Sequence, residues 1–170
     1  MNFVKAGLSY AKRGWSVLRL YSTTGEVCGC ARGTNCTSKG KHPALNSGVK
    51  EATKDEATIT RWYSDGVYNI GIATGLASGV VVVDVDSRKH GLETLQELKA
   101  KYGEEAFETV TCLTSSGGLH LYYKIPDGRS LRNRAEIFKG IDVRGNGGYV
   151  VAPPSLHANG ERYRWHDSRH

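Results

Sequence analysis

The apolar and polar positions of the chain change period several times, and each change marks an element. Phe3, Ala6, Leu8, Tyr10 and Ala11 recur at loosely helical spacing within residues 3–13, and Gly14 ends that helix. "WSVLRLY" (15–21) alternates and reads as a strand. Residues 24–48 are rich in Gly, Cys, Lys, Ser and Thr, have no period, and form a long loop. Asp55 is placed to cap a helix over 55–63 that aligns Ile59 and Trp62 on one face. "NIGIATG" (69–75) and "VVVVDVD" (80–86) are strands joined by a Gly/Ser turn at "LASG" (76–79). "HGLETLQELKAKYG" (90–103) is the clearest helix, with Leu92, Leu95 and Leu98 three residues apart and Gly103 as its stop. "TVTCLTS" and "LHLYYKI" flank a "SSGG" turn as a hairpin, and "GIDVRG" and "GYVVAPP" read as another strand pair. "HANGERYRW" predicts a last hairpin around Asn159-Gly160. Strands dominate and helices fall irregularly between them, which predicts an α+β fold with a mixed or antiparallel sheet rather than a doubly wound one.

The acidic end of the valine strand is the first chemical signal. Residues two apart on a strand share a face, so Asp84 and Asp86 point the same way, roughly 7 Å apart. Val80 and Val82 precede them on that face, where a core surface opens to solvent. Two carboxylates there repel, and a hard divalent cation relieves the repulsion; two solvated aspartates at a strand end are the alternative. Asp142, after Ile141 in a short strand flanked by glycines, adds a third carboxylate. Three carboxylates on adjacent strands can hold two Mg²⁺ or Mn²⁺ ions for phosphoryl transfer, unless Asp142 merely pairs with Arg144 or Arg134.

Two further segments carry candidate chemistry. Ser115, Ser116, Gly117 and Gly118 precede His120; glycines admit an anion to backbone N–H groups and serine hydroxyls donate to phosphate. The segment is not a phosphate-binding P-loop, since no GK[ST] follows and no helix opens from it, and the same residues make an ordinary hairpin turn. Cys28, Cys30 and Cys36 fall within nine residues, and His42 follows in "GKHP". Three thiolates and an imidazole suit a tetrahedral structural zinc and would explain the long loop, although C-x-C is tighter than the usual spacing; free cysteines in a loop are the alternative. Cys112, within a strand, reads as a core residue. Lys39, Lys41 and Lys50 around the loop could touch nucleic-acid backbone or simply be solvated.

Composition limits the partners without naming one. The 170-residue chain is 39% hydrophobic and 24% charged, and reads as one globular domain spanning 1–170. It has no membrane-length apolar run and its start lacks the apolar centre of a signal peptide, so a cytoplasmic location with reduced thiols is expected. A net charge of +6, from 23 basic and 17 acidic residues, permits an anionic partner. The ending "YRWHDSRH" predicts a fragment of a longer protein.

Taken in order, "GKHP", "NIGIATG", "SGVVVVDVDS", "TSSGGLHLYY" and "GIDVRGNGGYVVAPPSLHANGERYRW" resemble the bifunctional primase/polymerase (PrimPol) domain of the archaeo-eukaryotic primase superfamily, found in phage and plasmid replication proteins. The resemblance covers roughly residues 5–166. It implies an RRM-like catalytic sheet with a smaller α/β subdomain and a zinc-binding loop. It implies that Asp84, Asp86 and Asp142 bind catalytic Mg²⁺ or Mn²⁺. His120 in "SGGLH" would contact the phosphates of the incoming nucleotide, Arg144 would be a further nucleotide contact, and Cys28, Cys30, Cys36 and His42 would bind zinc. The activity implied is template-directed primer or DNA synthesis on single-stranded DNA from dNTPs or NTPs, with a helicase domain downstream. Two rivals remain at this point. One is another metal-dependent phosphoryl-transfer enzyme such as a nuclease; a dehalogenase-type phosphatase wants a small residue soon after the second aspartate, and "DVDSRKHG" fits that poorly. The other is a zinc-stabilised, non-catalytic DNA-binding module of a replication initiator, which would gain nothing from carboxylates facing phosphate.

Overall fold

The computed structural model describes residues 2–127 and 129–166. Helix α1 (Phe3–Lys12) starts at Asn2, whose side chain accepts the Lys5 N–H at 2.8 Å, and α2 (Glu56–Ser64) starts at Asp55, which accepts from the Thr58 N–H at 2.8 Å. Both caps satisfy first-turn donors that would otherwise be orphaned. The helices approach closely at Gly7, where a Cβ would lie 2.8 Å from Ile59 Cγ2. They pack on an antiparallel sheet in which β4 (Tyr68–Ala73) lies between β1 (Val17–Tyr21) and β10 (Tyr149–Ala152). The 24–48 loop holds a small ribbon of β2 (Thr23–Thr24) and β3 (Val27–Cys28), with short 3₁₀ turns at Gly33–Asn35 and Gly48–Glu51.

The second sheet has six strands, every neighbouring pair antiparallel. Its order is β11 (Arg164–Trp165), β6 (Val110–Leu113), β7 (Leu119–Lys124), β5 (Val80–Val85), β9 (Ile141–Arg144) and β8 (Arg134–Phe138). The valine run of β5 is apolar on both sides because both sides are covered. Val80 and Val82 join Tyr122, Cys112 and Trp15 in a core shared with the three-stranded sheet. Val85 packs with Leu121, Ile141 and Leu95, the last on α3 (Gly91–Tyr102). Cys112 is fully buried, and burial pushes its thiol well above the ordinary range, as a core cysteine should behave.

The α+β class and antiparallel sheets agree with the sequence reading; two local expectations do not. "GIDVRG" and "GYVVAPP" are not paired: β9 belongs to the six-stranded sheet and β10 to the three-stranded one. Two of the glycines between them serve close packing, since a Cβ on Gly145 would sit 2.2 Å from Leu131 O and one on Gly148 would sit 2.3 Å from Asn133 Oδ1, while Gly147 turns the chain at φ 73°. β4 and β5 form as expected with a turn at 76–79 between them, and lie in different sheets linked by a bridge between Gly75 and Val80. β8 has no sequence signal because all five of its residues are exposed, leaving no apolar face to set a period. The turn at Asn159-Gly160 forms, closed by the Leu156–Arg162 bridge, but β11 leaves it to pair with β6.

Candidate active site and metal-ligand cluster

Strand register builds the candidate site. β5 runs between β7 and β9, and Asp84 stands opposite His120 on one side and opposite Asp142 on the other. The parity that sends Val80 and Val82 into the core makes Asp84 the first side chain of that face to leave it. Arg144, one step along β9, sits opposite Val82, and its guanidinium donates to Asp84 Oδ2 at 3.2 Å and to Asp142 Oδ2 at 2.7 Å. Asp142 Oδ1 also accepts the Glu136 N–H at 2.8 Å, which Glu136 presents from a left-handed backbone (φ 48°). Asp86 lies just past β5. It accepts the Arg88 N–H at 3.0 Å and pairs with the Arg88 guanidinium at 2.9 Å, and these contacts hold its carboxyl below the usual carboxylate range.

All three aspartates line one cavity of about 550 Å³ between the two sheets, together with Lys41, Ser116, His120, Arg144 and Tyr163. They do not close to metal-ligand spacing with one another as the cysteine cluster does. Each is instead neutralised by a guanidinium, Asp86 by Arg88 and the other two by Arg144. The ion pair between Asp142 and Arg144 is therefore real, but Arg144 shares it with Asp84.

The glycine-rich hairpin divides between two places. Ser116 and His120 reach the carboxylate cavity, while Ser115, Gly117 and Gly118 line a separate depression with Glu161, Arg162 and Arg164. Gly118 is needed for contact rather than for turning: a Cβ there would be 2.2 Å from Val85 O. The turn is pinned to the end of β5 by the Ser87 hydroxyl, which donates to Ser116 O at 2.6 Å. Arg88 and Tyr163 were the cavity residues least visible beforehand. Arg88 sits two residues after Asp86, a spacing that offers a clue, whereas Tyr163 arrives only through the fold of the last hairpin.

His120 is buried, with its Nε2 3.6 Å from Asp84 Oδ1, too far for a hydrogen bond. Burial pushes the imidazole below its ordinary 6.5; Asp84 pulls the other way, and Arg144 and Lys41 reinforce burial. The unfolded chain therefore takes up this proton at a higher pH than the folded chain does. Its contribution to stability is full above about pH 6.5 and is lost as the pH falls through that value toward the lower folded pKa. In metal-free protein, His120→Asn is expected to flatten the decline in urea midpoint between about pH 7.5 and pH 5, removing at most about 1.4 kcal/mol per pH unit. Parallel curves for variant and wild type would show that His120 does not titrate differently on folding.

The long loop gathers Cys28, Cys30, Cys36 and His42 so that one ligand atom of each lies within 4.8 Å of all the others. His42 Nε2 is 3.5 Å from Cys28 Sγ and 3.4 Å from Cys36 Sγ. Zinc–ligand bonds of about 2.0–2.3 Å in a tetrahedron put ligand atoms roughly 3.5–3.8 Å apart, so these spacings fit a single tetrahedral ion. Burial and the nearby Arg32 push the His42 imidazole down, favouring the neutral form that ligates metal. Lys39 pairs with Glu26 at 3.0 Å on the outside of the loop, whereas Lys41 lines the cavity.

The fold thus sets a cavity lined by three carboxylates and four cations between two antiparallel sheets, next to a cysteine–histidine cluster. The model of the family described as bifunctional DNA primase/polymerase, N-terminal, matches residues 7–170, and the chain belongs to that family. No curated protein matched the chain. Among the described residues no helix is long and apolar enough to cross a membrane.

Proposed function

We propose that the cavity between the sheets is the active site of a template-directed polymerase or primase, which joins nucleotides to a 3′-hydroxyl on single-stranded DNA. The observation that carries this reading is the placing of Asp84, Asp142 and His120 on three neighbouring strands around one cavity that Asp86 also lines. The carboxylates are partly exposed, with side-chain accessibilities of 23–26%, and offer hard oxygen donors. Asp84, Asp86 and Asp142 would hold Mg²⁺ or Mn²⁺, which supplies positive charge to the attacking oxygen and the departing pyrophosphate. Arg144, no longer needed to neutralise Asp84 and Asp142, would then be available to phosphate. His120, kept neutral by burial, can donate a ring N–H to a phosphate oxygen, and the Ser116 hydroxyl can do the same. Cys28, Cys30, Cys36 and His42 would hold a structural Zn²⁺. The central strands β7, β5 and β9 would serve as the RRM-like platform, with β1, β4, β10 and the two N-terminal helices as the smaller subdomain.

The test is extension of a labelled primer on single-stranded template with dNTPs or NTPs and Mg²⁺ or Mn²⁺. Template-dependent extension is expected, and the mild positive charge predicts that template binding weakens with salt. Shortening of the primer without extension would point to a nuclease instead. DNA retention with neither extension nor nucleotide binding would point to a binding module.

A further inference from the structure

The segment Gly40-Lys41-His42 is fixed far more firmly than a glycine- and lysine-rich loop requires. Its three successive carbonyls each accept from a different strand of the three-stranded sheet. Gly40 O accepts the Asn69 side-chain amide of β4 at 2.9 Å, Lys41 O accepts the Tyr149 hydroxyl of β10 at 3.0 Å, and His42 O accepts the Tyr21 N–H of β1 at 3.0 Å. Gly40 is buried at φ 71°, where a Cβ would crowd Leu156 O at 3.1 Å and Asn69 Nδ2 at 3.2 Å. The His42 ring packs on Tyr21 with centroids 4.8 Å apart, and its Nε2 closes on Cys28 and Cys36. Between these anchors the half-buried Lys41 side chain lines the carboxylate cavity.

Lys41 differs from the other cations of that cavity. Arg88 is paired with Asp86, Arg144 with Asp84 and Asp142, and Lys89 with Glu136 at 3.7 Å. Among the described residues the Lys41 ammonium makes neither an ion pair nor a hydrogen bond. A half-buried ammonium on an anchored backbone, lining the cavity with no anion in ion-pair or hydrogen-bond contact, is a site prepared for an anion. Four cations and three carboxylates line the cavity, so cations bound to the carboxylates would leave it strongly positive. A volume of about 550 Å³ lies in the range that encloses a nucleotide-sized ligand. Lys39 and Lys50, by contrast, lie outside the cavity.

Resting on the polymerase reading above, we propose that Lys41 binds the polyphosphate of the incoming nucleotide, and that the metal-loaded cysteine–histidine cluster adds to the sheet contacts that hold its segment in place. The cluster thus acts on substrate binding through the peptide bond that joins Lys41 to His42.

The test is binding of a fluorescent dNTP, followed by anisotropy in Mg²⁺, with inorganic tripolyphosphate as competitor and with primed single-stranded DNA titrated separately. Lys41→Met is expected to weaken both the dNTP and tripolyphosphate by roughly 10- to 100-fold, the range for losing a charge-assisted contact. DNA affinity is expected to stay within about two-fold, and Lys41→Arg to recover part of the loss. Stripping the cluster with a nitrogen-donor chelator that leaves Mg²⁺ in place should weaken dNTP binding by wild type and add little to Lys41→Met. Unchanged dNTP affinity in Lys41→Met overturns the assignment. An equal loss of DNA affinity overturns it too, making Lys41 a DNA contact. Equal chelator effects on both proteins overturn the coupling to the cluster. Failure of wild type to bind any dNTP would overturn the polymerase reading and this inference with it.

Discussion

Asp84→Asn is expected to lower nucleotide incorporation by about 10²- to 10³-fold while leaving the fold in place. Removing one well-placed electrostatic group from an active site costs about 10²–10³-fold, and Asp84 has the most central position available. It lies in the middle strand, between His120 and Asp142, and shares Arg144 with Asp142. Asparagine keeps the volume and an oxygen that can still accept from Arg144, so shape and sheet pairing survive. What it removes is a negative charge from a carboxylate pair set directly across the strands, where like charges destabilise. The melting temperature should therefore hold or rise slightly in metal-free protein while the affinity for divalent cations falls. Single-turnover extension at saturating dNTP, read beside a melting curve, separates the two effects. Incorporation within about ten-fold of wild type, in a folded protein, would remove Asp84 from the metal site.

The largest effect on stability is expected from emptying the cysteine–histidine cluster. Its ligands come from β3, the turn that follows and the segment before Pro43, so one ion closes most of the 24–48 loop. That loop has few apolar anchors of its own; Cys28 and Cys36 are two of its buried residues. Without metal, two buried thiols and an imidazole would have to be held by protein contacts alone. Free zinc at about a thousand times its dissociation constant adds about 4 kcal/mol to a folded state. For a chain of this size that corresponds to roughly 8–16 °C in melting temperature. Chelation should produce a drop of that order, reversed by zinc, with about one equivalent of metal found by elemental analysis of the purified protein. A melting temperature indifferent to chelator, with no bound metal, would make the four residues an ordinary packed loop.

How much of this was legible beforehand depended on how local the signal was. Strand parity alone placed Asp84 at the mouth of a core face, because Val80 and Val82 fix which side is buried. Residue type alone nominated the Cys28–His42 cluster, since three thiols so close to an imidazole have few other uses. Pairing register was not legible. That Asp84 would face both His120 and Asp142 depends on how three distant strands align, and no local pattern encodes it. The glycines after β9 look like a hairpin turn in sequence. They do close a turn, with Gly148 N–H donating to Gly145 O at 3.0 Å, but Gly145 and Gly148 also let the chain slide past Leu131 and Asn133 on its way to the other sheet, a contact invisible without those partners. β8 escaped notice because an exposed edge strand carries no alternation. Arg144 was open to two readings, ion pair or nucleotide contact, and the paired state seen here is compatible with its release when cations take over the carboxylates.

The double-sided burial of β5 has a consequence for how such a chain can vary. The valines along Val80–Val83 can be exchanged for apolar residues of similar volume at modest cost, because each merely fills space. Length is a different matter. A single residue inserted before Asp84 would rotate the carboxylate onto the side packed by Leu95 and Ile141 and deliver a valine into the cavity in its place. Side-chain drift and chain-length drift are thus decoupled in this strand: the first is tolerated wherever a valine only fills space, and the second is excluded anywhere ahead of Asp84.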